Sequence, residues 1–216
     1  MTQKSGGEVD MAGVARLIGE PARAAMLDAL LAGKALAAGE LARIAGVTAP
    51  TASQHLSRMT SAGLIEAVAA GRHRYYRLAS VEVAHVLESL ALLAPRRPVT
   101  SLRQSRHNAA LLTARTCYDH LAGRVGVGIY KSLVDAGSLT AAPAGLDVTE
   151  SGHERLRDLG IDVAAARSRR RHFARSCLDF TERREHLAGA LGAAICARLL
   201  DLVWLRPRAP GNRGLR

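Results

Sequence analysis

The chain has 216 residues, of which 48% are hydrophobic and 23% are charged, so it can bury one sizeable core or two small ones. Its 30 lysine and arginine residues outnumber 19 acidic residues, and the formal charge of +11 favours a polyanionic partner such as nucleic acid. The excess lies in the second part, since residues 1–95 hold 9 basic and 8 acidic residues and residues 96–216 hold 21 and 11.

The sequence argues against a membrane protein, a secreted disulfide-rich protein and an enzyme. The longest apolar stretches fall short of the roughly 20 residues that span a bilayer, and the first seven residues contain no apolar signal core. The chain has only three cysteines, an odd number that does not suit a secreted disulfide framework. We therefore expect a cytoplasmic protein without a membrane partner. We also expect no enzyme, because the sequence contains no glycine-rich phosphate loop, nucleophile elbow or zinc-hydrolase motif.

The first part of the chain predicts four helices. Apolar residues recur near helical spacing over residues 9–19, and Pro21 suits the first turn of a second helix that ends near Gly33. A short third helix over residues 39–45 ends in a glycine turn, and Thr48 is a suitable N-cap for a fourth helix. A short helix, a glycine turn and a polar second helix are typical of a helix-turn-helix.

The fourth helix is predicted to bury its apolar face and to present short or forked polar side chains on the other. These candidate DNA contacts are Thr48, Thr51, Ser53, Gln54, His55 and Arg58. We expect Thr51, Ser53 and Gln54 to face base edges. We expect Arg58 to contact a phosphate, a position that fixes orientation but carries no sequence preference.

A hairpin is predicted to follow, with strands over residues 64–69 and 73–78 and a tight turn between them. This hairpin is a candidate wing. Its cations can reach phosphates or a minor groove, and the candidate contacts here are Arg72, Arg74 and Tyr75. A strongly apolar helix over residues 80–93 comes next.

The segment GELARIAGVTAPTASQHLSRMTSAGLIEAVAAGRHRYYRL resembles the helix-turn-helix and wing of the ArsR/SmtB family of bacterial repressors. The resemblance covers about residues 9–93. It implies a homodimer, with the first helix and the 80–93 helix at its interface, that binds double-stranded DNA at an inverted repeat and releases it on a signal. Apolar helices at both ends of a small domain independently favour a dimer.

The metal sites known in that family are incomplete in this chain. Ala37-Ala38-Gly39 replaces the cysteine pair that arsenic-sensing members place before the third helix. Zinc-type members use acidic and histidine ligands on the last helix of the winged domain, where this chain has Glu82, His85 and Glu88 without a second histidine. The resemblance therefore predicts no metal at either position.

The complete fold is predicted to be mainly α with small β-hairpins, an α+β arrangement. A winged helix-turn-helix and dimerisation domain over residues 1–95 precedes a mostly helical domain over residues 96–205 and a flexible arginine-rich tail over residues 206–216. Within the second domain we predict long helices over residues 102–123 and 182–204. Between them lie a helix over residues 125–137, a wing-like hairpin over residues 138–149 and a helix over residues 150–160.

The second domain contains an internal repeat, since Cys-x-Asp and His-Leu-Ala-Gly-x-x-Gly each occur twice. Thiolate, imidazole and carboxylate groups bind zinc and other transition metals, so the candidate metal or sensing residues are Cys117, His120, Cys177, Asp179 and His186. Cys117 and His120 would share a helix face. In the alternative interpretation the glycines allow close helix contact, the cysteines are small core residues and the histidines bond carboxylates.

These observations predict a sequence-specific DNA-binding transcriptional regulator, a repressor that responds to a metal or small-molecule inducer. No cofactor is certain, and zinc or another transition metal is the candidate. Two alternatives remain open. The winged fold could serve only as a protein-interaction module, or the chain could sense oxidation through Cys117 and Cys177.

Overall fold

The computed structural model describes residues 9–70, 73–95 and 98–216. The chain divides into two compact units. The first unit ends at Ser80 and omits residues 31–34, which belong with residues 81–216 in the second unit. The boundary expected near residue 95 is therefore corrected, because the helix after the wing packs within the second unit, where its Ala84, Leu87 and Glu88 are buried.

The first unit contains four helices and a three-stranded antiparallel sheet in the order β1-β3-β2. Its elements are α1 (Met11–Ile18), α2 (Pro21–Leu30), β1 (Leu36–Ala37), α3 (Ala38–Ala45), α4 (Ala49–Ser61), β2 (Ile65–Ala70) and β3 (His73–Leu78). These confirm the helix-turn-helix and hairpin expected from the sequence.

Local chemistry explains the turn between α3 and α4. Gly46 adopts a left-handed conformation at φ 67°, which a residue with a side chain rarely adopts, and so ends α3. The Thr48 side chain then accepts a hydrogen bond from the Thr51 amide, as the sequence predicted for an N-cap. The core is formed by apolar side chains of α2, α3, α4 and the sheet. Its largest side chains are less than 2% exposed: Met26, Leu27, Leu30, Leu41, Leu56, Met59, Ile65 and Leu78.

The second unit contains six helices and three separate two-stranded antiparallel hairpins among its described residues. Its elements are α5 (Val81–Leu93), α6 (Leu102–Thr113), β4 (Arg115–Cys117), β5 (His120–Ala122), α7 (Gly123–Asp135), β6 (Leu139–Ala142), β7 (Gly145–Val148), α8 (Glu150–Asp158), α9 (Val163–Arg167), β8 (Arg175–Leu178), β9 (Glu185–Ala188) and α10 (Gly189–Asp201). The predicted helix, hairpin and helix over residues 125–160 are confirmed as α7, β6–β7 and α8.

The internal repeat corresponds to a structural repeat of one hairpin followed by one helix. The first copy is β4–β5–α7 and the second is β8–β9–α10, and each helix packs against the hairpin of the other copy, α7 on β9 and α10 on β5. The two copies also share a register, since Cys117 pairs with His120 and Cys177 pairs with His186. This exchange of helices brings the two hairpins together.

The second glycine of each His-Leu-Ala-Gly-x-x-Gly motif allows the helix to approach its own hairpin. A Cβ atom at Gly126 would lie 2.3 Å from the Leu121 carbonyl oxygen, and one at Gly192 would lie 2.4 Å from the Leu187 oxygen. Such distances are far shorter than van der Waals contact, so both positions require glycine. The repeated motif is explained by this geometry.

The two long helices predicted for the second unit are wrong. α6 ends at Thr113 and α10 begins at Gly189, and in both places a hairpin occupies the intervening residues. All six residues of β4 and β5 are buried, which a surface helix with one apolar face would not achieve. Cys117 and His120 therefore face each other across a strand pair rather than along a helix.

The last eleven residues are folded, which corrects the expected flexible tail. Arg206 and Arg216 exchange backbone hydrogen bonds, and the Leu215 amide donates to the Ala114 carbonyl at 2.8 Å. Leu215 and Arg213 are buried. Among the described residues no helix exceeds 13 residues, and each is too short or too polar to cross a lipid bilayer.

Candidate functional site

The outer face of α4 is polar and open to solvent. Of the candidate contacts on this helix, those that are exposed are Thr48, Thr51, Ser53, Gln54 and Arg58. The opposite face is buried through Ala52, Leu56 and Met59. The apolar face of α4 therefore packs against the core of the first unit, and its polar face is accessible to a ligand.

His55 does not belong to that open face. Its Nδ1 atom lies 3.2 Å from a guanidinium nitrogen of Arg23, and its Nε2 atom lies 3.7 Å from a Glu20 carboxylate oxygen. Arg23 is buried and also donates to the Arg16 carbonyl at 3.1 Å. The half-buried ring lies between α4 and α2, which distinguishes His55 from the five exposed candidates on this helix.

The described part of the wing contains two arginines, Arg74 and Arg77, whose surroundings differ. Arg74 is exposed and Tyr75 is half-buried, whereas Arg77 is paired with Glu66 across β2 and β3. Arg72 lies outside the described residues. On the described part of the hairpin, Arg74 is therefore the exposed candidate contact.

Four of the five candidate sensing residues of the second unit form one compact cluster. The cluster comprises Cys117, His120, Cys177 and His186, whose potential ligand atoms all lie within 4.8 Å of one another. The two Sγ atoms are 4.0 Å apart, and the two imidazole rings stack with their centroids separated by 5.1 Å. Cys177 is partly exposed and the other three residues are at most 2% exposed.

The structural repeat explains how residues so distant in sequence meet. In each hairpin the cysteine and the histidine are direct partners across the strands, so each copy contributes one thiol and one imidazole. β5 contacts β9, which places the histidine of one copy beside that of the other. The ligand-type atoms thus come from two hairpins about 60 residues apart in the chain.

Asp179, the fifth candidate, lies behind the cluster. Its carboxylate accepts hydrogen bonds from the Arg115 guanidinium at 2.9 Å and from the Gly123 amide at 2.6 Å, and Oδ2 lies 3.8 Å from Nδ1 of His186. Although burial opposes its charge, Arg115 and the surrounding donors lower the pKa of Asp179. Asp179 thus lies beside His186, beyond hydrogen-bond distance, and does not join the four.

Asp119 occupies the corresponding place in the first copy. Its Oδ1 atom lies 3.3 Å from Nδ1 of His120, and its carboxylate is paired with Arg171. Although burial opposes a charged ring, the Asp119 carboxylate and the Cys177 sulfur raise the pKa of His120. Each histidine of the cluster therefore has an aspartate on its Nδ1 side.

The two thiols differ in their electrostatic surroundings. A hydrogen bond from the Cys117 thiol, together with the facing rings of His120 and His186, lowers the pKa of Cys177 despite its burial. The neighbouring Cys177 sulfur and burial raise the pKa of Cys117. Cys196 is the third thiol of the chain, and burial raises its pKa to about 11. A thiolate is therefore stabilised at Cys177, inside the cluster.

Arg115 is a fully buried arginine that was not among the residues predicted from the sequence. Its guanidinium bonds Asp179 and stacks 4.0 Å over the centre of the Phe180 ring. The signal was present, since Ala-Arg-x-Cys occurs in both copies of the repeat, at residues 114–117 and 174–177. In the second copy, Arg175 lies 3.0 Å from Nδ1 of His85 on α5.

On α5, His85 and Glu88, two of the positions that zinc-type ArsR/SmtB members use, each have an arginine neighbour within the chain. Glu88 is buried and paired with Arg213, and His85 is engaged by Arg175. Burial and the Arg175 charge lower the pKa of His85. Within the described ranges, the Cys117 cluster is the one group of three or more such residues close enough to hold a metal ion.

Comparisons with known proteins concern both the first part and the whole chain. Residues 18–68 match the model of a helix-turn-helix domain. The chain is 44% identical over 207 residues to the uncharacterized HTH-type transcriptional regulator YdfF of Bacillus subtilis (strain 168), an alignment that covers 96% of this chain and 91% of that protein.

Two solved structures are similar to part of the chain. One is the homodimeric winged helix-turn-helix DNA-binding domain of Mb0332 from Mycobacterium bovis, with 30% identity, 41% of this chain and 89% of that chain covered, and a TM-score of 0.36. The other is the cadmium metal-sensor CMTR from Mycobacterium tuberculosis, which is 31% identical. The match covers 43% of this chain and 100% of that chain, with a TM-score of 0.34.

Proposed function

This chain belongs to the helix-turn-helix transcriptional regulators, and from that premise we propose that it is a homodimeric repressor that binds an inverted-repeat operator and releases it in response to a ligand or metal. The observation that carries the proposal is the exposed polar face of α4, which lies over a fully buried opposite face. The resemblance of residues 9–93 to ArsR/SmtB repressors supports repression and the dimer.

The proposed reading of DNA uses two sets of side chains. Thr51, Ser53 and Gln54 contact base edges in the major groove, where hydroxyl and amide groups discriminate between base pairs. Arg58 on α4 and Arg74 on the wing hold phosphates, which adds affinity that falls with salt. Thr48 caps α4, and its hydroxyl lies 2.9 Å from that of Thr51, so it orients this neighbour.

The proposed dimer is supported by apolar side chains that each unit leaves exposed. On α1, Met11 is 76% exposed and all described residues of the helix are at least partly exposed. On α5, Val86, Leu90 and Leu93 are between 44% and 83% exposed. Exposed apolar helices of this kind are typical of subunit interfaces, and the family resemblance places both helices there.

The second unit is proposed as the sensor because both hairpins that carry the cluster are tied to α5. Arg213 bonds Glu88 of α5 and donates to the Thr116 carbonyl of β4 at 3.1 Å. Arg175 of β8 contacts His85 of α5. A change at the cluster would therefore move α5, and a dimer with altered α5 geometry no longer matches half-sites about one helical turn apart.

The test is fluorescence anisotropy of the full chain on its own upstream DNA and on a scrambled duplex, at two salt concentrations. We expect preference for the upstream DNA, and affinity for both duplexes that falls as salt rises. Equal affinity for the two duplexes would contradict the proposal and favour a protein-interaction module.

A second measurement tests the dimer through α5. The double variant Val86→Glu, Leu90→Glu places charges on the exposed apolar face and is expected to be monomeric in sedimentation, with weaker operator binding. Glu82→Lys on the same helix, which replaces one exposed charged residue with another, is the control and should stay dimeric. A dimeric double variant would place the interface elsewhere.

Oxidation sensing remains the second candidate, and the separation of the two thiols favours it. Cys117 and Cys177 lie 4.0 Å apart, so a peroxide could take two electrons and two protons from them, forming a disulfide and water. This alternative predicts that peroxide releases the operator and that a thiol reductant restores binding. A metal-responsive chain that has first bound its ion should resist the same treatment.

A further inference from the structure

We propose that Cys117, His120, Cys177 and His186 form a closed tetrahedral Zn²⁺ site that joins the two hairpins of the repeat. This deepens the proposed function by naming the ligand of the sensing unit. The role of the ion as a signal rests on that function, whereas its binding does not.

The separations of the donor atoms suit a tetrahedral zinc ion. Zinc–sulfur bonds of about 2.3 Å at a tetrahedral angle place two sulfurs about 3.8 Å apart. The Sγ atoms of Cys117 and Cys177 are 4.0 Å apart, and all four ligand atoms lie within 4.8 Å of one another. The two sulfurs are therefore already near their tetrahedral separation, and the pairs that include a nitrogen, which need about 3.3–3.6 Å, would close by at most about 1.5 Å.

Buried imidazole nitrogens give the second, independent observation. Within the described part of the chain, Nε2 of His120 and both ring nitrogens of His186 are buried without a hydrogen-bond partner of good geometry. Both rings are at most 2% exposed. Buried polar atoms are nearly always satisfied, and an ion between the two rings would satisfy an Nε2 atom on each.

Each histidine of the cluster has an aspartate near its Nδ1 atom, which leaves Nε2 as the nitrogen that faces the ion. Asp119 lies on the Nδ1 side of His120 and Asp179 lies on the Nδ1 side of His186. At 3.3 Å the Asp119 carboxylate bonds Nδ1 of His120, which favours the tautomer that leaves Nε2 free to bind a metal and orients the ring. Asp179 lies 3.8 Å from Nδ1 of His186, so a small approach on metal binding would give that ring the same partner. Both copies thus supply a thiol, an imidazole and an orienting carboxylate.

Charge balance selects a divalent ion. The carboxylates near the cluster already have cationic partners, since Asp119 is paired with Arg171 and Asp179 with Arg115. Two thiolates and one Zn²⁺ ion add no net charge to this buried site, whereas a monovalent ion would leave an unpaired negative charge. Four protein ligands leave no open position, which is typical of a structural or regulatory site.

The first experiment titrates the full chain with Co²⁺ after treatment with a chelator and a thiol reductant. We expect one Co²⁺ per chain, with intense visible bands of tetrahedral cobalt and a thiolate charge-transfer band, and one equivalent of Zn²⁺ should abolish both. Weak octahedral bands, or binding without the charge-transfer band, would overturn the site.

Variants assign the ligands. Cys177→Ser and His186→Asn should each weaken Co²⁺ binding by more than about a hundredfold and change the spectrum, whereas Cys196→Ala, which removes a buried thiol outside the cluster, should leave both unchanged. Asp119→Asn should weaken binding about 10- to 100-fold with the tetrahedral bands retained. Its matched control is Asp147→Asn, which breaks a surface pair with Arg167.

A measurement on the unaltered chain keeps the test valid where a variant does not fold. Cys177 is the partly exposed thiol of the cluster, so its alkylation rate reports directly on the site. One equivalent of Zn²⁺ should slow alkylation of Cys177 at least tenfold, and an unchanged rate would overturn the proposal. These readouts need no DNA, so an ion that binds without affecting operator affinity would contradict the signal role and leave the site standing.

Discussion

The outer face of α4 and the interior of the paired hairpins are both polar, yet water reaches only the first. Thr51, Gln54 and Arg58 are exposed, so their hydrogen-bonding groups are satisfied by solvent until a ligand replaces it. His120 and His186 are buried, so each of their nitrogens needs a partner inside the protein or a bound ion. Exposed polar side chains on a helix surface are accessible to a macromolecule. Buried polar groups without a partner indicate a site for a small ligand or ion.

The buried region itself contains two different solutions. Arg115 and Asp179 satisfy each other within the chain, at 2.9 Å and with both side chains at most 1% exposed. The cluster of Cys117, His120, Cys177 and His186 is arranged around a common centre instead. A buried ion pair is costly to break because the remaining charge loses its partner, whereas several imidazole nitrogens buried without a partner indicate a binding site.

The largest expected effect comes from removing one partner of the buried pair. Arg115→Leu leaves the Asp179 carboxylate buried without its cation and should lower the free energy of unfolding by about 3–5 kcal/mol. Denaturant unfolding of the full chain measures this. Lys131→Ala breaks an exposed pair with Asp135 and should change stability by at most about 1 kcal/mol. Equal effects would erase the distinction between the buried and exposed regions.

The next effect concerns discrimination by the exposed face. Gln54→Ala should reduce the preference for operator over scrambled DNA by about 1–3 kcal/mol, because an amide that reads a base edge is lost. Arg58→Ala should weaken binding to both duplexes alike and lower the salt slope by about 1, as expected for a phosphate contact. Anisotropy at several salt concentrations separates the two. A uniform loss in the Gln54 variant would remove it from the base contacts.

Glycines on α7 provide a matched pair in the second unit. Gly126→Ala forces a Cβ atom against the Leu121 carbonyl and should destabilise the chain by about 1–3 kcal/mol, with weaker metal binding because β5 carries His120. Gly128 lies on the same helix, where a Cβ would meet nothing within 4 Å. Gly128→Ala should stabilise the helix by about 0.5–1 kcal/mol. Thermal unfolding that ranks the variants the other way would contradict the proposed close approach.

The smallest expected effect distinguishes His55 from its neighbour Gln54. His55→Ala removes a contact with Arg23 and should lower stability by about 1 kcal/mol while operator discrimination stays unchanged. Denaturant unfolding measures the stability and fluorescence anisotropy measures the operator discrimination, both on one preparation of the variant. Loss of discrimination at unchanged stability would return His55 to the DNA-contacting set.

Much of the first unit could be predicted because its signals are local. The Gly46 turn, the Thr48 cap and the alternating strands of the wing each depend on residues close in sequence. The contacts of His55 could not be predicted, because its partners, Glu20 and Arg23, lie more than 30 residues away and no spacing within α4 reveals them. The boundary at residue 80 likewise depends on the burial of α5 against the second unit.

In the second unit the sequence was sufficient to identify the repeat and the residues worth testing as ligands. It was insufficient for the secondary structure around them, since three-residue strands such as β4 and β5 are stabilised by burial rather than by local propensity. The predicted helices over residues 102–123 and 182–204 were wrong for this reason.

Chain-local chemistry thus accounts for the helix-turn-helix, the wing and the recurrence of Cys-x-Asp and His-Leu-Ala-Gly-x-x-Gly, because caps, turns and periodicity act over a few residues. Contacts across about 60 residues decide the rest: the meeting of Cys117 with Cys177, the pairing of Arg115 with Asp179 and the position of Asp179 behind His186. These depend on each helix packing against the hairpin of the other copy, an exchange that burial favours and that no local pattern encodes.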